Sequence, residues 1–225
     1  MPRPSRQIDR ALLASGRALF PAAGCARLSV RAVAEHAGVN RAMFHYHFDS
    51  KEAFLRALLQ EMYEEMFASL AGSAQGEGLA LPRLERALGA LARFARAHRQ
   101  LVARVWMDAM GGEAVAREFF RLNAPRHVGL LLALMQQAEH EGALAGEAPP
   151  VQRFAFLMSS VLLPVVFVAG LLDAGLELPG LHARFEAEVM SDGAIDQRVA
   201  LALAALAPRA RVLPAASRSR RRDAA

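Results

Sequence analysis

The sequence has little of what a secreted or β-rich protein needs. It contains one cysteine, Cys25, among 225 residues, so an intrachain disulfide is excluded. Its first residues, MPRPSRQ, have no apolar run after the basic residues, so no secretory signal is expected. Aromatic residues make up only 7%, and β-branched residues are sparse beside Ala and Leu. These absences predict a cytoplasmic, all-α protein.

Signatures of catalysis are also missing from the sequence. We find no Gly-rich phosphate loop, no G-x-S-x-G nucleophile motif and no metal-ligand cluster, and the acidic residues are scattered. His36, His45 and His47 are close in sequence, but histidines two positions apart on a helix point to different faces. We therefore predict that the protein is not an enzyme and holds neither a cofactor nor a metal.

The charge divides the chain into three parts. Residues 1–56 carry nine basic and four acidic side chains, and residues 57–208 carry twelve basic and seventeen acidic ones. Residues 209–225 carry six arginines and one acidic residue, Asp223, without apolar periodicity. We predict a nucleic-acid-binding domain at 1–56, an apolar helical domain at 57–208 and a basic disordered tail at 209–225. The tail either adds a non-specific DNA contact or is a solvated end.

Helical periodicity predicts four helices within the first seventy residues. The first covers Gln7 to Phe20, and Pro21 with Gly24 ends its pattern. Ser29, Asn40 and Ser50 are the candidate N-caps of the next three helices, and Gly38 can take the positive φ of a tight turn. The fourth helix is predicted from Lys51 to about Leu70, followed by a linker from Gly72 to Gly78.

Beyond this linker, the apolar pattern is helical throughout. The predicted body helices are Leu81–His98, Gln100–Met110, Glu113–Asn123, Arg126–Glu141, Val151–Leu172, Leu181–Met190 and Asp192–Leu206. Most of the junctions between them contain Pro or Gly.

Two short helices around Gly38 predict a helix-turn-helix, in which the second helix is presented to the major groove. The segment 28–55 resembles the DNA-binding signature of the TetR family of bacterial transcriptional regulators. The resemblance covers about fifty residues and is carried by Ala18, Leu19, Phe20, Gly24, Ser29, Val33, Ala34, Ala37, Gly38, Val39, Tyr46, His47, Phe48, Ser50, Lys51 and Glu52.

The resemblance implies a set of DNA contacts, with phosphate contacts fixing the register and base contacts reading the sequence. Lys51, the only lysine in the chain, matches the family's phosphate-contacting lysine. Arg41 is expected to contact a guanine, and Ala42 is expected to contact a thymine methyl group. Arg31 is a further candidate for a base contact. The full predicted interface is Ser29, Arg31, Asn40, Arg41, Ala42, Met43, His45, Tyr46, His47 and Lys51.

His45 departs from the family pattern, which commonly has a tyrosine at this position. Its imidazole can still donate a hydrogen bond to a phosphate. A ligand-binding or interaction protein with degraded DNA binding is therefore an alternative interpretation.

Residues 154–172 form nineteen consecutive positions without a charge, which is nearly the length of a membrane span. Pro164, Gly170 and the adjacent Asp173 count against insertion, as does the lack of a Tyr or Trp belt. A membrane-anchored regulator is thus the less favoured alternative. The resemblance instead implies that this helix and the last one pair with their symmetry mates in a homodimer.

A two-fold dimer would place two helix-turn-helix units on an inverted-repeat operator. The body is rich in the Met and aromatic side chains that line adaptable apolar pockets. We predict a small, largely apolar effector whose binding releases DNA, and therefore a repressor. The candidate effector-binding residues are Trp106, Met107, Met110, Phe120, Met135, Phe154 and Met158.

Overall fold

The computed structural model describes residues 4–168, 170, 175 and 180–208, and the regular structure within them is helical. The predicted tail at 209–225 lies outside these residues. The helices are α1 (Pro4–Arg27), α2 (Val30–His36), α3 (Arg41–His47), α4 (Lys51–Ala74), α5 (Ala80–Ala97), α6 (Arg99–Gly111), α7 (Ala114–His140), α8 (Pro150–Leu163), α9 (Leu181–Phe185) and α10 (Asp192–Ala204). The all-α prediction is confirmed.

Side-chain caps fix where the short N-terminal helices begin. Ser29 Oγ accepts a hydrogen bond from the amide of Ala32, and Asn40 Oδ1 accepts one from the amide of Met43. Ser50 Oγ does the same for Ala53 at the start of α4. Gly38 has φ 68°, a left-handed conformation that lets the chain turn sharply between α2 and α3. The three predicted caps and the predicted turn are confirmed.

Three helices continue past the residues at which the sequence predicts their ends. Helix α4 runs to Ala74 instead of ending near Leu70, so the predicted linker is helical from Gly72 to Ala74. Helix α1 continues through Pro21, but the helical backbone is interrupted by a kink at Gly24, with φ 64°, as the sequence predicts, before the last residues up to Arg27. Helix α7 is a single helix through Pro125, although we expected two helices separated there. A proline in a helix costs about 3 kcal/mol. The burial of Asn123 and Leu131 on either side of Pro125 offsets this cost, because both positions pack against other helices.

Helix α8 ends in a π-helical turn, Pro164–Val168. Proline has no N–H, and its ring collides with the carbonyl four residues earlier, so a wider turn is a common accommodation. A second π-turn, Glu186–Met190, joins α9 to α10. The buried side chains of the two turns, among them Val165, Val166 and Met190, pack in one cluster.

The N-terminal helices share their apolar core with the body. Phe20, Phe44 and Phe54 lie in one buried cluster with Leu101 and Val105 of α6. Val115 and Ala116, at the start of α7, belong to the same cluster. A second cluster joins α4, α5, α7, α8 and α10. The long helix α4 contributes to both clusters, so it connects the helix-turn-helix rigidly to the body.

One stretch of the described residues, Pro150–Val168, is long and apolar enough to cross a membrane, with a mean hydropathy of 1.8 over its window. Its inner face is buried in the body at Leu157, Val161 and Val165. Its outer face exposes Val151, which is 71% accessible, and also Phe156. The helix therefore has one face in the protein core and one unpaired apolar face.

The contact between α1 and α4 generates a stability prediction. A Cβ atom at Gly16 would lie 2.5 Å from Cζ of the buried Phe54, whereas a Cβ at Gly72 would meet no atom within 4 Å. We expect Gly16→Ala to lower the free energy of unfolding by about 1–3 kcal/mol through overpacking. Gly72→Ala should raise it by up to about 1 kcal/mol, because alanine favours the helix. Urea unfolding followed by circular dichroism measures both values, and equal effects of the two variants would contradict the tight α1–α4 contact.

Candidate nucleic-acid interface and ligand cavity

One side of α3 faces solvent. Arg41, Ala42, His45 and Tyr46 recur at the spacing that places residues on one side of a helix, and all four are exposed. Tyr46 has 76% of its surface accessible. The other side of α3 is held by Phe44, which packs against Phe48 and Phe54 with ring centroids 5.6 and 5.1 Å away. Helix α3 thus presents a basic and aromatic surface while its apolar side anchors it.

The predicted α2 residues flank this surface. Ser29 is exposed, and its hydroxyl can approach a phosphate while it caps the helix. Arg31 donates to Glu35 Oε1 over 2.7 Å in an exposed ion pair, and this partner raises the pKa of the guanidinium further above its usual value. This bond uses one of the five N–H donors of the guanidinium, so the others are available for a base contact while the ion pair persists.

The histidines that the sequence brings together are separated in space. His45 is exposed, whereas the side chain of His47 is only 5% exposed, and its Nδ1 lies 2.5 Å from Asp9 Oδ1 on α1. His36 Nδ1 lies 3.0 Å from the hydroxyl of Ser15. Within the described part of the chain, no group of three or more His, Cys, Asp or Glu residues is arranged to hold a metal. The position of His47 favours a structural role, in which it fastens α3 to α1.

Two charged side chains hold the end of α1 beyond its kink. Lys51 Nζ donates to the carbonyl of Ala26 over 2.7 Å, so the predicted phosphate ligand is already positioned and keeps further N–H groups for DNA. The buried Asp108 of α6 accepts from the amide of the adjacent Cys25 over 2.7 Å. Its second oxygen accepts from Arg104 Nε over 2.9 Å. A helix of the body thus binds the N-terminal helices one residue away from the site of Lys51.

Burial and the neighbouring Asp108 also control the single cysteine. Burial, followed by the hydrogen bond to Asp108, raises the pKa of the Cys25 thiol from 9.0 to about 12. The thiol therefore stays protonated at neutral pH. We assign it to packing, since the thiolate is the reactive form of cysteine.

The body contains a cavity of about 410 Å³ between α4, α5, α6, α7 and α8 with its π-turn. This volume lies within the range of small-molecule sites. The wall is largely aliphatic and aromatic, and six of its ring side chains are Tyr63, Phe94, Trp106, Phe119, Phe120 and Phe167. Val166 and Phe167 belong to the π-turn, so the irregular end of α8 forms part of the cavity wall.

The cavity wall contains some of the predicted effector residues. Trp106, Phe120 and Met158 line it. Met107 and Met110 lie on the exposed side of α6 instead, and Met135 with Phe154 belongs to the apolar cluster of α5, α7, α8 and α10. Residue type alone did not separate these positions, because Met occurs equally in cores, on surfaces and in cavity walls. The periodic apolar face of α4 at Leu59, Met62, Tyr63 and Met66 could have indicated that this helix also lines the cavity.

Three polar side chains of α4 and α7 meet at the cavity wall. The hydroxyl of Tyr63 donates to the backbone carbonyl of Asn123 over 2.7 Å and lies 3.3 Å from His127 Nδ1. Asn123 Nδ2 lies within hydrogen-bond distance of Gln60 Oε1 and the carbonyl of Phe119. Burial lowers the pKa of His127 and raises that of Tyr63, so both side chains are neutral near pH 7. Residue patterns in the sequence did not indicate Tyr63, Asn123 or His127 as site residues.

These features define a class of protein: an exposed helix-turn-helix joined by one long helix to a helical body with an apolar cavity. Residues 12–58 match the family model of the bacterial regulatory proteins, tetR family, which confirms the resemblance found in the sequence. The chain has the domain and the fold of TetR-family transcriptional regulators.

Solved structures of similar fold extend the match beyond the helix-turn-helix. A TetR family transcription regulator from Marinobacter aquaeolei VT8 has a TM-score of 0.66 and 19% identity, over 93% of this chain and 100% of that chain. The ketosteroid transcriptional regulator KstR2 of Mycobacterium tuberculosis has a TM-score of 0.64 and 17% identity, over 89% and 95%. A Clostridium perfringens regulator named for fatty acid metabolism has a TM-score of 0.70 and 16% identity, over 88% and 100%. No curated protein matches the chain.

The two histidines of α3, the exposed His45 and the buried side chain of His47, generate a matched prediction. His47→Ala should lower the free energy of unfolding by about 1–3 kcal/mol, because it leaves a void and removes the partner of Asp9. His45→Ala should change it by less than about 0.5 kcal/mol, because the side chain is exposed. Chemical denaturation of both variants gives the comparison, and a destabilised His45→Ala beside an unaffected His47→Ala would reverse the assignment.

Proposed function

We propose that the protein is a ligand-responsive repressor that binds a palindromic operator as a homodimer in the cytoplasm and is released by a small, largely apolar effector. The observation that carries this proposal is the exposed face of α3, where Arg41 and Ala42 stand with His45 and Tyr46 beside the capped start of α2. A side chain that only packed in the core would not be exposed to solvent at these positions.

Each exposed residue of this face has a role in the proposed complex. Arg41, in the first turn of α3, would bind the major-groove edge of a guanine, and Ala42 would contact a thymine methyl group. Ser29, Asn40, His45, Tyr46 and Lys51 would contact the phosphates and fix the register of the helix. The half-buried Met43 would contact DNA only at the edge of the face. We leave His47 out of the interface because its ring faces α1.

The unpaired apolar face of α8 supports the homodimer. Helix α8 packs on α10, and both expose large apolar side chains, among them Phe156 on α8 and Leu201 on α10, which is 65% accessible. A membrane is the other environment that could cover this face. The opposite face of α8 is buried in the body, so insertion would require the body to open. A second copy of the chain covers the exposed face without this cost.

The position of α6 supports the response to a ligand. Val102 and Trp106 line the cavity, and Leu101 and Val105 of the same helix both line it and pack in the core of the helix-turn-helix. Asp108, one turn further along, holds the amide of Cys25. A ligand that moves α6 would therefore move α1 and the attachment point of Lys51. By linkage, a ligand weakens DNA binding if it binds better to the state in which the two helix-turn-helix units are wrongly spaced for the operator.

The names of two structures of similar fold mention a ketosteroid and fatty acid metabolism, and the compounds concerned have large hydrocarbon parts. The apolar wall of the cavity supports an effector of similar polarity for this chain.

DNA binding can be tested by fluorescence anisotropy with inverted-repeat duplexes from the region upstream of the gene. Lys51→Ala should weaken binding to all duplexes and reduce the salt slope by about one, because it removes a phosphate contact. Arg41→Ala should cost about 1–3 kcal/mol on the preferred duplex and little on the others.

Arg184→Ala is the matched control for these variants, because Arg184 is an exposed arginine of α9 that pairs with Glu188. It should bind like the unmodified protein. If the unmodified protein ignores every duplex at low ionic strength, DNA binding is refuted, and a ligand-binding protein without a DNA target becomes the better description.

The proposed dimer can be tested by sedimentation equilibrium. Phe156→Glu and Leu201→Glu should each convert a dimer to a monomer, because they place a charge in an apolar interface. Leu122→Glu is the control: Leu122 is also exposed, but it lies on α7, outside the proposed interface. A monomeric unmodified protein, or a dimer that tolerates both glutamates, would rule out this interface.

A further inference from the structure

The cavity wall selects against charged ligands. None of the described residues that line it is an aspartate, glutamate, lysine or arginine. Transfer of an ion from water into an apolar site costs several kcal/mol unless an opposite charge or several hydrogen bonds replace the water. A carboxylate or ammonium ligand would find no counter-charge in this wall.

The polar corner of the cavity, formed by Tyr63, Asn123 and His127, has no free aromatic face on Tyr63 for a ligand cation, because a guanidinium already stands over that ring. Arg126 Cζ lies 5.1 Å from the ring centroid of Tyr63 and 4.3 Å from that of Phe67. The π-face of Tyr63 is therefore already used by a positive charge. Glu64 pairs with Arg126 through both carboxylate oxygens, at 2.6 and 3.1 Å, so the guanidinium is not free to attract an anion either.

The hydrogen-bond donors of Tyr63 and Asn123 at the polar corner already bind acceptors within the protein. The single hydroxyl hydrogen of Tyr63 goes to the carbonyl of Asn123, and the amide hydrogens of Asn123 go to Gln60 Oε1 and the carbonyl of Phe119. Tyr63 consequently has no hydrogen left for His127 Nδ1, 3.3 Å away. That contact requires Nδ1 to carry the proton.

A neutral imidazole with a proton on Nδ1 has a lone pair on Nε2. Among the residues that the structure describes, none donates a hydrogen bond to Nε2 of His127. This atom is not one of the fully buried polar atoms that lack a partner, so it is accessible. The corner thus has an acceptor to offer a ligand, and its donors are spent. Its complement is a ligand that brings a hydrogen-bond donor.

We infer that the cavity binds an uncharged, largely apolar molecule with a hydroxyl group, which donates its hydrogen to Nε2 of His127. This inference deepens the proposed function and rests on the cavity being the effector site. It distinguishes alcohols from ketones, acids and amines of the same carbon skeleton.

A matched ligand series tests the inference on the unmodified protein. The probes are undecan-2-ol, undecan-2-one, undecanoate and 2-aminoundecane, with decahydro-2-naphthol and its ketone as a cyclic pair. Trp106 is the only tryptophan of the chain and lines the cavity, so its emission reports binding, and calorimetry gives the dissociation constants. In at least one pair the alcohol should bind about five- to tenfold more tightly than the ketone, the size expected for one hydrogen bond.

The acid and the amine should bind at least about tenfold more weakly than the alcohol. Equal or tighter binding of the ketone in both pairs, or of the carboxylate or the ammonium compound relative to undecan-2-ol, would overturn the inference. The absence of binding by both alcohols would overturn it as well.

A pair of variants locates the hydrogen bond. His127→Phe keeps a planar ring but removes the acceptor, so the preference for the alcohol should disappear while ketone affinity stays within about twofold. Ser159→Ala is the control, because Ser159 also lines the cavity but its hydroxyl hydrogen is directed to carbonyls of α8. The preference should survive in Ser159→Ala. Its loss there, or its persistence in His127→Phe, would contradict the role of His127.

Ligand binding in this experiment is measured without DNA, which separates the two proposals. If undecan-2-ol binds with the expected preference but leaves a DNA complex intact, the ligand class stands and the regulatory response fails. If another ligand of the series releases DNA while the alcohol does not bind, the regulatory response stands and the ligand class fails.

Discussion

The apolar cluster shared by the N-terminal helices and α6 is the contact on which the other features of the structure depend. Phe44 and Phe54 hold α3 in place, and Leu101 and Val105 of α6 complete the same cluster. A three-helix unit of about fifty residues buries little surface by itself, so this shared packing adds to its stability. The same packing couples the position of the helix-turn-helix to that of the body.

This sharing gives a physical basis for communication between the cavity and the DNA-binding surface. Helix α6 lines the cavity, and its Leu101 and Val105 also pack in the core of the helix-turn-helix. Asp108 adds a buried hydrogen bond to α1 beyond the kink at Gly24. A packed helix moves as a unit, because its interior contacts tolerate little compression. Filling or emptying the cavity would therefore move the α1 carbonyl that positions Lys51.

Much of the N-terminal region could be predicted because its signals are local. The caps at Ser29, Asn40 and Ser50 and the turn at Gly38 depend on residues within three or four positions, and the structure contains each of them. The prediction of a break at Pro125 was wrong because a local penalty was outweighed by packing on both sides of it. His47 was placed in the interface by its motif position, but its ring faces α1, since the face of a short helix is set by what packs behind it.

The sequence by itself determined the helical class, the helix starts and the helix-turn-helix, since these follow from side-chain chemistry over a few neighbouring residues. Only the tertiary structure decided which side chains surround the cavity and which of their hydrogen bonds are already made. Tyr63 and His127 are 64 positions apart in the chain and meet because α4 packs on α7. No periodic pattern in the sequence predicts the contact between Tyr63 and His127. This contact depends on how the two helices are rotated relative to each other when their apolar faces are buried together.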